Sequence, residues 1–433
     1  MQIRDNWSIL SVRPRTGAGE YTRAGRHPHG AFPGDIALSQ SEMKASPSTH
    51  LDMRGLVAAI TLGTVGALTI LIVPGFVLLV GAQSGLDDRH LGFIAAWDIN
   101  TVAALIGIVT FLISRLNWRH LALAGIALIV LGDLLTSLSH GYPGMVAARI
   151  CAGAGEGLGV AVSFAALGSA ANPDRAFGVY LVVCLTVAAA ILAALPSAQE
   201  RFGAASVFVT LGAITLASGA LLPWLPARNP RAAAWAEAPP RVSKALAFAG
   251  LSGVFLNFIA EGAMWSYFGR IGAASGVAPL TIGLAMGLSS FSGMGGALLA
   301  IAVVSRLGRV IPLAVSGVIS VLSFWLLQGH VTAGVLVTAG LLLNFGWNLA
   351  QPLFSGVCAE ADAQGRVVVA MGCIQTVGFG LGPAIAALIL RHDDFSPVIW
   401  MSIGVLVFSL LVVIGALKVS ASRAAPYAPP AST

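Results

Sequence analysis

Five ionisable side chains stand inside long apolar stretches of the sequence: Asp98, Asp133, Arg149, Glu156 and Glu261. An ionised side chain at the centre of a bilayer costs at least about 2.5 kcal/mol on insertion scales, so each must face protein or water and have a partner. Ionisable groups inside membranes are functional by default. These five residues are therefore the first candidates for binding a proton or a charged part of a solute.

Arg149 and Glu156 are seven positions apart on one predicted helix, which returns them to nearly the same face, about 10.5 Å apart along the axis. We expect both to face one cavity, without direct contact unless long side chains and water close the gap. The functional interpretation is an arginine that binds an anionic group or balances a carboxylate, next to a protonatable glutamate. The alternative is a structural pair that locks this helix to a neighbour.

The carboxylates are candidate proton carriers, in the order Glu261, Glu156 and Asp98. Desolvation favours the neutral form of a carboxyl group, which suits proton uptake near neutral pH. For Asp98, a packing hydrogen bond or a helix cap is an equal alternative. For Asp133, near the outer end of its predicted helix, we favour a structural role in reach of interface water. The eight histidines lie in the N-terminal tail, in loops or at helix ends, so carboxylates must carry any proton coupling.

Amide and aromatic side chains form polar stripes on three further predicted helices. They are Asn257, Glu261 and Trp265 at spacing i, i+4 and i+8, then Asn344, Trp347, Asn348 and Gln351 at i, i+3, i+4 and i+7, and Gln375 on the next helix. Such faces are typical of sites that orient a small organic solute. The alternative is interhelical contacts worth under about 2 kcal/mol each.

The elements that position these residues follow from composition. Of 433 residues, 57% are hydrophobic and 10% charged, and the mean hydropathy is +0.86, which excludes a water-soluble globular protein. Apolar stretches of about 20 residues recur, and only helices satisfy their backbone groups in hydrocarbon. The twelve predicted spans are 55–82, 91–113, 120–138, 143–170, 176–197, 204–225, 246–268, 280–304, 310–328, 332–356, 367–390 and 396–417.

Several function classes lack their signatures. The four cysteines have no paired spacing, and no zinc, dinucleotide or metalloprotease motif occurs, so we expect no cofactor, no metal and no enzymatic activity. The basic residues are scattered in short loops, which does not suggest nucleic-acid binding.

The distribution of positive charge predicts the orientation. From Lys44 onward, and leaving out Arg149, fourteen Lys and Arg lie on the side of both termini and four lie on the other side, namely Arg89, Arg201, Arg270 and Arg391. Both termini are therefore predicted to be cytoplasmic, in a multi-pass protein of the plasma (inner) membrane.

The longest internal polar break, 227–244, contains three prolines and divides the spans six and six. We therefore predict a disordered cytoplasmic tail over 1–53, a first six-helix bundle over 54–226, a cytoplasmic linker over 227–245, a second bundle over 246–418 and a disordered tail over 419–433.

The two halves share a register at an offset of 305 − 114 = 191. Ser114-Arg115-Leu116 recurs as Ser305-Arg306-Leu307, and Gly92 corresponds to Gly283. Each match has the same topological position in its half, as in transporters built from parallel repeats of six helices.

Across 54–418 the chain resembles the major facilitator superfamily of transporters. The resemblance is carried by the loop 114–119, by its counterpart 305–309 and by the run Arg149-x3-Gly153-x-Gly155-x-Gly157. It implies twelve transmembrane helices in two pseudo-symmetric six-helix bundles, a solute site between them and alternating access. It also implies gating loops that contain Arg115, Arg119, Arg306 and Arg309.

Together these observations predict a monomeric secondary transporter that takes up a small organic solute with protons across the lipid bilayer. The alternative within transport is proton-linked efflux of a lipophilic or cationic compound, motivated by four buried acids against one arginine. Outside transport, the alternative is a membrane scaffold or sensor.

Overall fold

A computed structural model of the chain describes residues 51–113, 115–170, 173–228, 243–361, 366–391 and 394–424. Residues 1–50 of the predicted tail and most of the predicted linker lie outside this range. The helices are α1 (Met53–Leu71), α2 (Val73–Ser84), α3 (Asp88–Leu112), α4 (Trp118–Leu138), α5 (Tyr142–Gly168), α6 (Pro173–Phe202), α7 (Ala204–Ser218), a 3₁₀ helix (Gly219–Trp224), α8 (Lys244–Ala274), α9 (Pro279–Leu307), α10 (Val310–Leu326), α11 (Ala333–Ala361), α12 (Arg366–Ile389) and α13 (Ser396–Ala424). The last helix continues past residue 418, where the sequence predicted a tail.

Each of the twelve predicted spans corresponds to helix in the structure. In the part of the chain that the structure describes, eleven helices are long and apolar enough to cross a membrane, and the 17-residue α10 completes the set of twelve spans. One prediction was wrong in detail: the continuous helix over 55–82 breaks at Ile72 into α1 and α2. Pro74, in the first turn of α2, has no N–H for the preceding turn, so a continuous helix is disfavoured there.

The repeat register predicted from the sequence reappears in the contacts between the halves. A Cβ on Gly92 of α3 would lie 3.0 Å from the carbonyl oxygen of Pro383 on α12. A Cβ on Gly283 of α9 would lie 2.9 Å from the carbonyl oxygen of Leu192 on α6. Because 283 − 92 and 383 − 192 both equal 191, each contact is the copy of the other. The halves, α1–α7 and α8–α13, are therefore related by a pseudo-two-fold operation.

The register also holds inside each half. Gly155 of α5 faces the carbonyl oxygen of Gly125 on α4, and its counterpart Gly346 of α11 faces that of Ser316 on α10. At these crossings small residues let the two backbones approach closely, as is common between helices in membranes.

Within the described ranges, three polar contacts join α8 of the second half to the first half. Tyr267 donates its hydroxyl proton to the carbonyl oxygen of Asp88 at 2.9 Å, and Arg270 forms an ion pair with the Asp88 carboxylate. The indole nitrogen of Trp265 donates to the carbonyl oxygen of Leu71 at 3.4 Å. We call the end of the molecule with the first two contacts the Asp88 end.

The outer surface of the bundle is apolar. Large side chains such as Ile108, Phe111, Leu298 and Leu411 are 55%, 85%, 66% and 65% exposed. An extended exposed surface of this kind fits lipid and not water.

Candidate functional site

Four ionisable side chains meet in the core of the first half, and we call them the Arg149 cluster: Asp98, Asp133, Arg149 and Glu156. Arg149 donates to Oδ2 of Asp98 from Nε at 3.0 Å and from Nη2 at 2.8 Å. Its Nη1 donates to Asp133 Oδ1 at 2.9 Å, and its Nη2 donates to Glu156 Oε1 at 3.0 Å. None of the four side chains is more than 8% exposed.

Glycines and an aromatic ring position this cluster. A Cβ on Gly153 of α5 would lie 2.8 Å from Asp98 Oδ1, so only glycine leaves room for the carboxylate there. A Cβ on Gly132 of α4 would lie 2.5 Å from the backbone nitrogen of Ala152, which shows how closely α4 and α5 pack. Phe76 of α2 places its ring 4.7 Å from the Arg149 guanidinium carbon, in cation–π geometry.

The structure decides one open expectation about these residues and corrects another. Arg149 and Glu156 touch directly, because the two long side chains extend toward each other and close the gap along the helix. Asp133 does not reach interface water: it is 6% exposed and paired with Arg149, because the close packing of α4 on α5 turns it inward.

A threonine that the sequence analysis missed extends the cluster toward α1. Thr69 donates its hydroxyl proton to Glu156 Oε1 at 2.7 Å and accepts from Arg149 Nη2 at 3.3 Å. A lone threonine in an apolar helix carries no signal by itself, so spacing could not have found it. Thr69 also lines a small cavity of about 20 Å³, together with Asp133, Glu156 and Thr215. This cavity lies inside the first half, among α1, α2, α4, α5 and α7.

Among the described residues, the core of the second half contains a single acid. Glu261 of α8 is fully buried and accepts one hydrogen bond, from the hydroxyl of Ser320 on α10 at 3.2 Å. Its second oxygen has no partner among the described residues, and none of their cations lies within ion-pair distance. Asn257, one turn earlier and 2% exposed, has an amide nitrogen that is likewise without a partner in the described range.

At the register of 191, the second half replaces the ions of the first with small or uncharged side chains. Arg149 corresponds to Gly340, and Asp98 corresponds to Ser289. The two counterparts are also neighbours, since a Cβ on Gly340 would lie 2.4 Å from Ser289 Oγ.

Trp347, Gln351 and Gln375 form a half-buried group where α11 meets α12. The indole of Trp347 stacks on Phe379 with ring centroids 5.3 Å apart and packs edge-on against Phe258 at 5.7 Å. Gln351 donates from Nε2 to Gln375 Oε1 at 2.8 Å, and its own Oε1 has no partner in the described range. This group offers an aromatic face next to an open hydrogen-bond acceptor.

The remaining predicted binding residues lie elsewhere. Asn348 donates to the carbonyl oxygen of Asn344 at 2.9 Å and packs against Gly293 of α9. Asn344 is 4% exposed, with an amide nitrogen that none of the described residues satisfies. Trp265 is nearly buried and directed at the break between α1 and α2. In this conformation the predicted site residues therefore form separate groups.

The first predicted gating loop is fastened within its own half. Arg119 donates to the carbonyl oxygens of Leu225 at 2.6 Å and of Pro223 at 2.9 Å, which ties the start of α4 to the 3₁₀ helix. Arg115 is exposed.

The second predicted gating loop is held in its own half by an ion pair. Arg309 forms an ion pair with Glu360 near the end of α11 and packs over Gly356. Arg306 is exposed.

Comparison with known proteins settles the architecture. No protein-family model and no curated protein sequence matches this chain. Solved structures do match. A mutant of the nucleoside transporter NupG superposes with TM-score 0.68 at 14% identity, covering 84% of this chain and 100% of that one. A D-xylose-proton symporter gives TM-score 0.69 at 13% identity, with 83% and 96% covered.

A bacterial homolog of the human lysosomal transporter Spinster, in an inward-facing and unoccupied conformation, gives TM-score 0.57 at 14% identity over 85% of this chain and 95% of that one. The chain has the major facilitator fold. That confirms the expected twelve-helix architecture and, with the apolar helices, makes the chain a multi-pass membrane protein. At 13–14% identity, these structures share the fold with this chain and no more than that.

Proposed function

We propose that this chain is a secondary transporter that moves a small organic solute by alternating access and takes it up together with protons. The observation that carries the proposal is Glu261, a fully buried carboxyl group with one hydroxyl partner and no counter-charge among the described residues. An ionised carboxylate in that position is costly, and a bound proton removes the cost. A side chain of this kind binds a proton in the closed protein and releases it when water enters.

Two further carboxyl groups are candidates for the same task. Glu156 and Asp98, the second and third in order, each have an oxygen without a partner in the described part of the chain. Arg149 is engaged by three carboxylates, which favours its role in balancing their charge over direct binding of an anionic solute.

For the solute we propose a site between the halves, centred on Trp347, Gln351 and Gln375. Their half-buried indole and amides suit a polar solute with one flat face. Two matched structures are named for such solutes, a nucleoside and D-xylose, and the second is named a proton symporter. Movement of the halves in the transport cycle would bring in the other predicted binding residues, which are Asn257, Trp265, Asn344 and Asn348.

The placement in the cell is part of the proposal. Positive charge places both termini in the cytoplasm, with the protein in the plasma (inner) membrane. The loops with Arg115, Arg119, Arg306 and Arg309 then gate the cytoplasmic side, and the Asp88 end faces outward. Because each half encloses its own polar core, we expect the monomer to be the transporting unit.

Proton-linked efflux of a lipophilic or cationic compound is the second candidate. Away from the ends of the described helices, four buried carboxyl groups, Asp98, Asp133, Glu156 and Glu261, stand against the single Arg149, and this excess of negative charge favours cations. Asp88, at the start of α3, is also buried but is paired with Arg270. A scaffold or sensor explains less, because it gives no use to buried acids that lack partners. Nothing in the described range carries a feature that calls for an enzyme.

The test is solute flux in proteoliposomes under an imposed pH gradient, with pentoses, nucleosides, amines and organic acids as probes. We expect Glu261→Gln to abolish proton-driven accumulation of the transported probe while counterflow exchange persists. The exposed carboxylate of Glu200 provides the matched control, so Glu200→Gln should behave as wild type.

Undiminished accumulation in Glu261→Gln would refute the coupling role of this residue. Proton-driven export of amines by the wild type would instead establish the efflux alternative.

A further inference from the structure

The Arg149 cluster is not balanced in charge. One guanidinium faces three carboxylates, so the fully ionised cluster has a formal charge of −2. Asp98 Oδ1 and Glu156 Oε2 also have no hydrogen-bond partner among the described residues, although both side chains are at least nine-tenths buried. Uncompensated charge in an apolar core is unfavourable, so the cluster needs further positive charge from outside.

The fold does not require this charge. The counterparts of Asp98, Arg149 and Glu156 at the register of 191 are Ser289, Gly340 and Trp347, all of them uncharged. At these three positions the second half packs its helices against each other with uncharged residues. The charge of the cluster therefore calls for an explanation other than packing.

Thr69 is the least buried of the polar groups around the cluster: Asp133, Arg149 and Glu156 line the same cavity, but their side chains are buried. Thr69 is half-buried, and its hydroxyl donates to Glu156 Oε1 while accepting from Arg149 Nη2. A hydroxyl oxygen has two lone pairs, so one remains free to accept a hydrogen bond from a water in the cavity that Thr69 and Thr215 line. Every side chain of the cluster itself is at least nine-tenths buried.

We propose that the Arg149 cluster binds and releases a proton on Glu156 and that the hydroxyl of Thr69 relays this proton from the cavity. A water that carries an excess proton donates it to the open lone pair of Thr69 Oγ1, and Thr69 passes its own hydroxyl proton to Glu156 Oε1. The water is left neutral, Thr69 regains its hydroxyl, and the formal charge of the cluster falls from −2 to −1. Release follows the same steps in reverse.

The groups that face Glu156 come from every neighbouring helix. Arg149 and the more distant Cys151 lie on its own helix, α5, Asp98 comes from α3 and Asp133 from α4. From α1, α2 and α7 the cavity is lined by Thr69, apolar side chains and Thr215. The relay accordingly has one hydroxyl in contact with Glu156.

The experiment follows proton binding without any solute. Protein in liposomes is jumped from alkaline to acidic pH, and the infrared carbonyl band of protonated carboxyl groups is recorded with time. We expect Glu156→Gln to remove one component of this band. Thr69→Val, which deletes the hydroxyl at nearly constant shape, should slow the same component at least about tenfold. Thr69→Ser keeps the hydroxyl and should stay within about twofold of wild type.

Thr64 provides the matched control on the same helix. Its hydroxyl donates to the carbonyl oxygen of Ile60, so Thr64→Val should leave the rate unchanged. If Thr69→Val does not fold, Thr69→Ala carries the same test. An unchanged rate in the variant without the hydroxyl, or a full band in Glu156→Gln, overturns the proposal.

The inference rests on the proposed function only for its link to transport, and the two can fail separately. Hydroxyl-dependent proton binding in a protein that moves no solute would support the relay and refute transport. Proton-coupled solute transport, with a rate of proton binding that does not change in Thr69→Val, would support transport and refute the relay.

Discussion

The two halves place opposite chemistry on one repeat register. In the first half, α3, α4 and α5 bring three carboxylates around Arg149. In the second half, the corresponding core has Ser289 and Gly340 in contact and one acid, Glu261, bonded to a serine. Since both halves build the same packing, close helix crossings do not depend on ions. The difference indicates a division of tasks between a charged core and a neutral one.

The two cores should also respond differently to the loss of one group. In the first half each ion is held by others, so removal of one leaves the rest unpaired in an apolar medium. In the second half Glu261 has only Ser320 as a partner, and its neutralisation leaves no charge behind. The predictions below test this contrast, beginning with the largest effect.

Arg149→Met should be the most destabilising single change, because it leaves three buried carboxylates without a cation. We expect a loss of about 3–5 kcal/mol in the free energy of unfolding, measured by SDS titration of detergent-solubilised protein. Adding Asp98→Asn and Asp133→Asn should restore part of that loss, since fewer acids remain. If the free energy of unfolding of Arg149→Met lay within about 1 kcal/mol of the wild-type value, the charges of the cluster would not be coupled.

The sequence predicts the fold well for a physical reason. Each span needs about 20 apolar residues, and polar breaks separate the spans, so hydropathy alone locates them. The register was also visible, in Gly92 and Gly283, because glycine is required where helices of the two halves cross. The break at Ile72 was missed because its flanking residues are apolar on both sides and the stretch reads as one run.

The sites were less predictable than the spans, because hydropathy does not set the rotation of a helix. Spacing correctly placed Arg149 and Glu156 on one face, but it could not show that Asp133 turns toward them from α4. That orientation depends on Gly132 meeting Ala152, a contact between residues 20 positions apart that is formed by tertiary packing. Thr69 and Ser320, each bonded to a key acid, were missed for the same reason.

Gly153→Ala should give the next largest effect, and it tests how the charged core is accommodated. The new Cβ would lie 2.6 Å from the backbone oxygen of Asp98 and 2.8 Å from Oδ1, so α3 would have to move away from α5. We expect a loss of about 1–3 kcal/mol in the free energy of unfolding, by the same titration.

Gly168 provides the matched control for this change. It lies on the same helix, where an added Cβ would meet no atom within 4 Å, so Gly168→Ala should be nearly neutral. Equal losses in the two variants would contradict this prediction, because helix propensity favours alanine over glycine and only the space around Asp98 distinguishes the two sites.

The smallest effect concerns Tyr267, whose counterpart at the register of 191 is Phe76. The two rings differ by one hydroxyl: Tyr267 uses it to bond the Asp88 carbonyl across the halves, while Phe76 packs on Arg149. Tyr267→Phe makes the two positions alike and removes one hydrogen bond, worth about 1 kcal/mol. That energy corresponds to about a fivefold shift in the equilibrium between closed and open forms of the Asp88 end.

Spin labels at Ser84 and Ser275, which are counterparts at the ends of α2 and α8, would report this shift. The distance between the two labels is measured by double electron–electron resonance. The four native cysteines would first be replaced. We expect longer distances to gain population in Tyr267→Phe. Tyr180→Phe, which removes a hydroxyl bond inside the first half, should leave the distances unchanged. If both variants or neither shifted the distances, the hydroxyl of Tyr267 would not be what holds the halves together. The Asp88–Arg270 ion pair and the hydrogen bond from Trp265 to Leu71 would then have to do so.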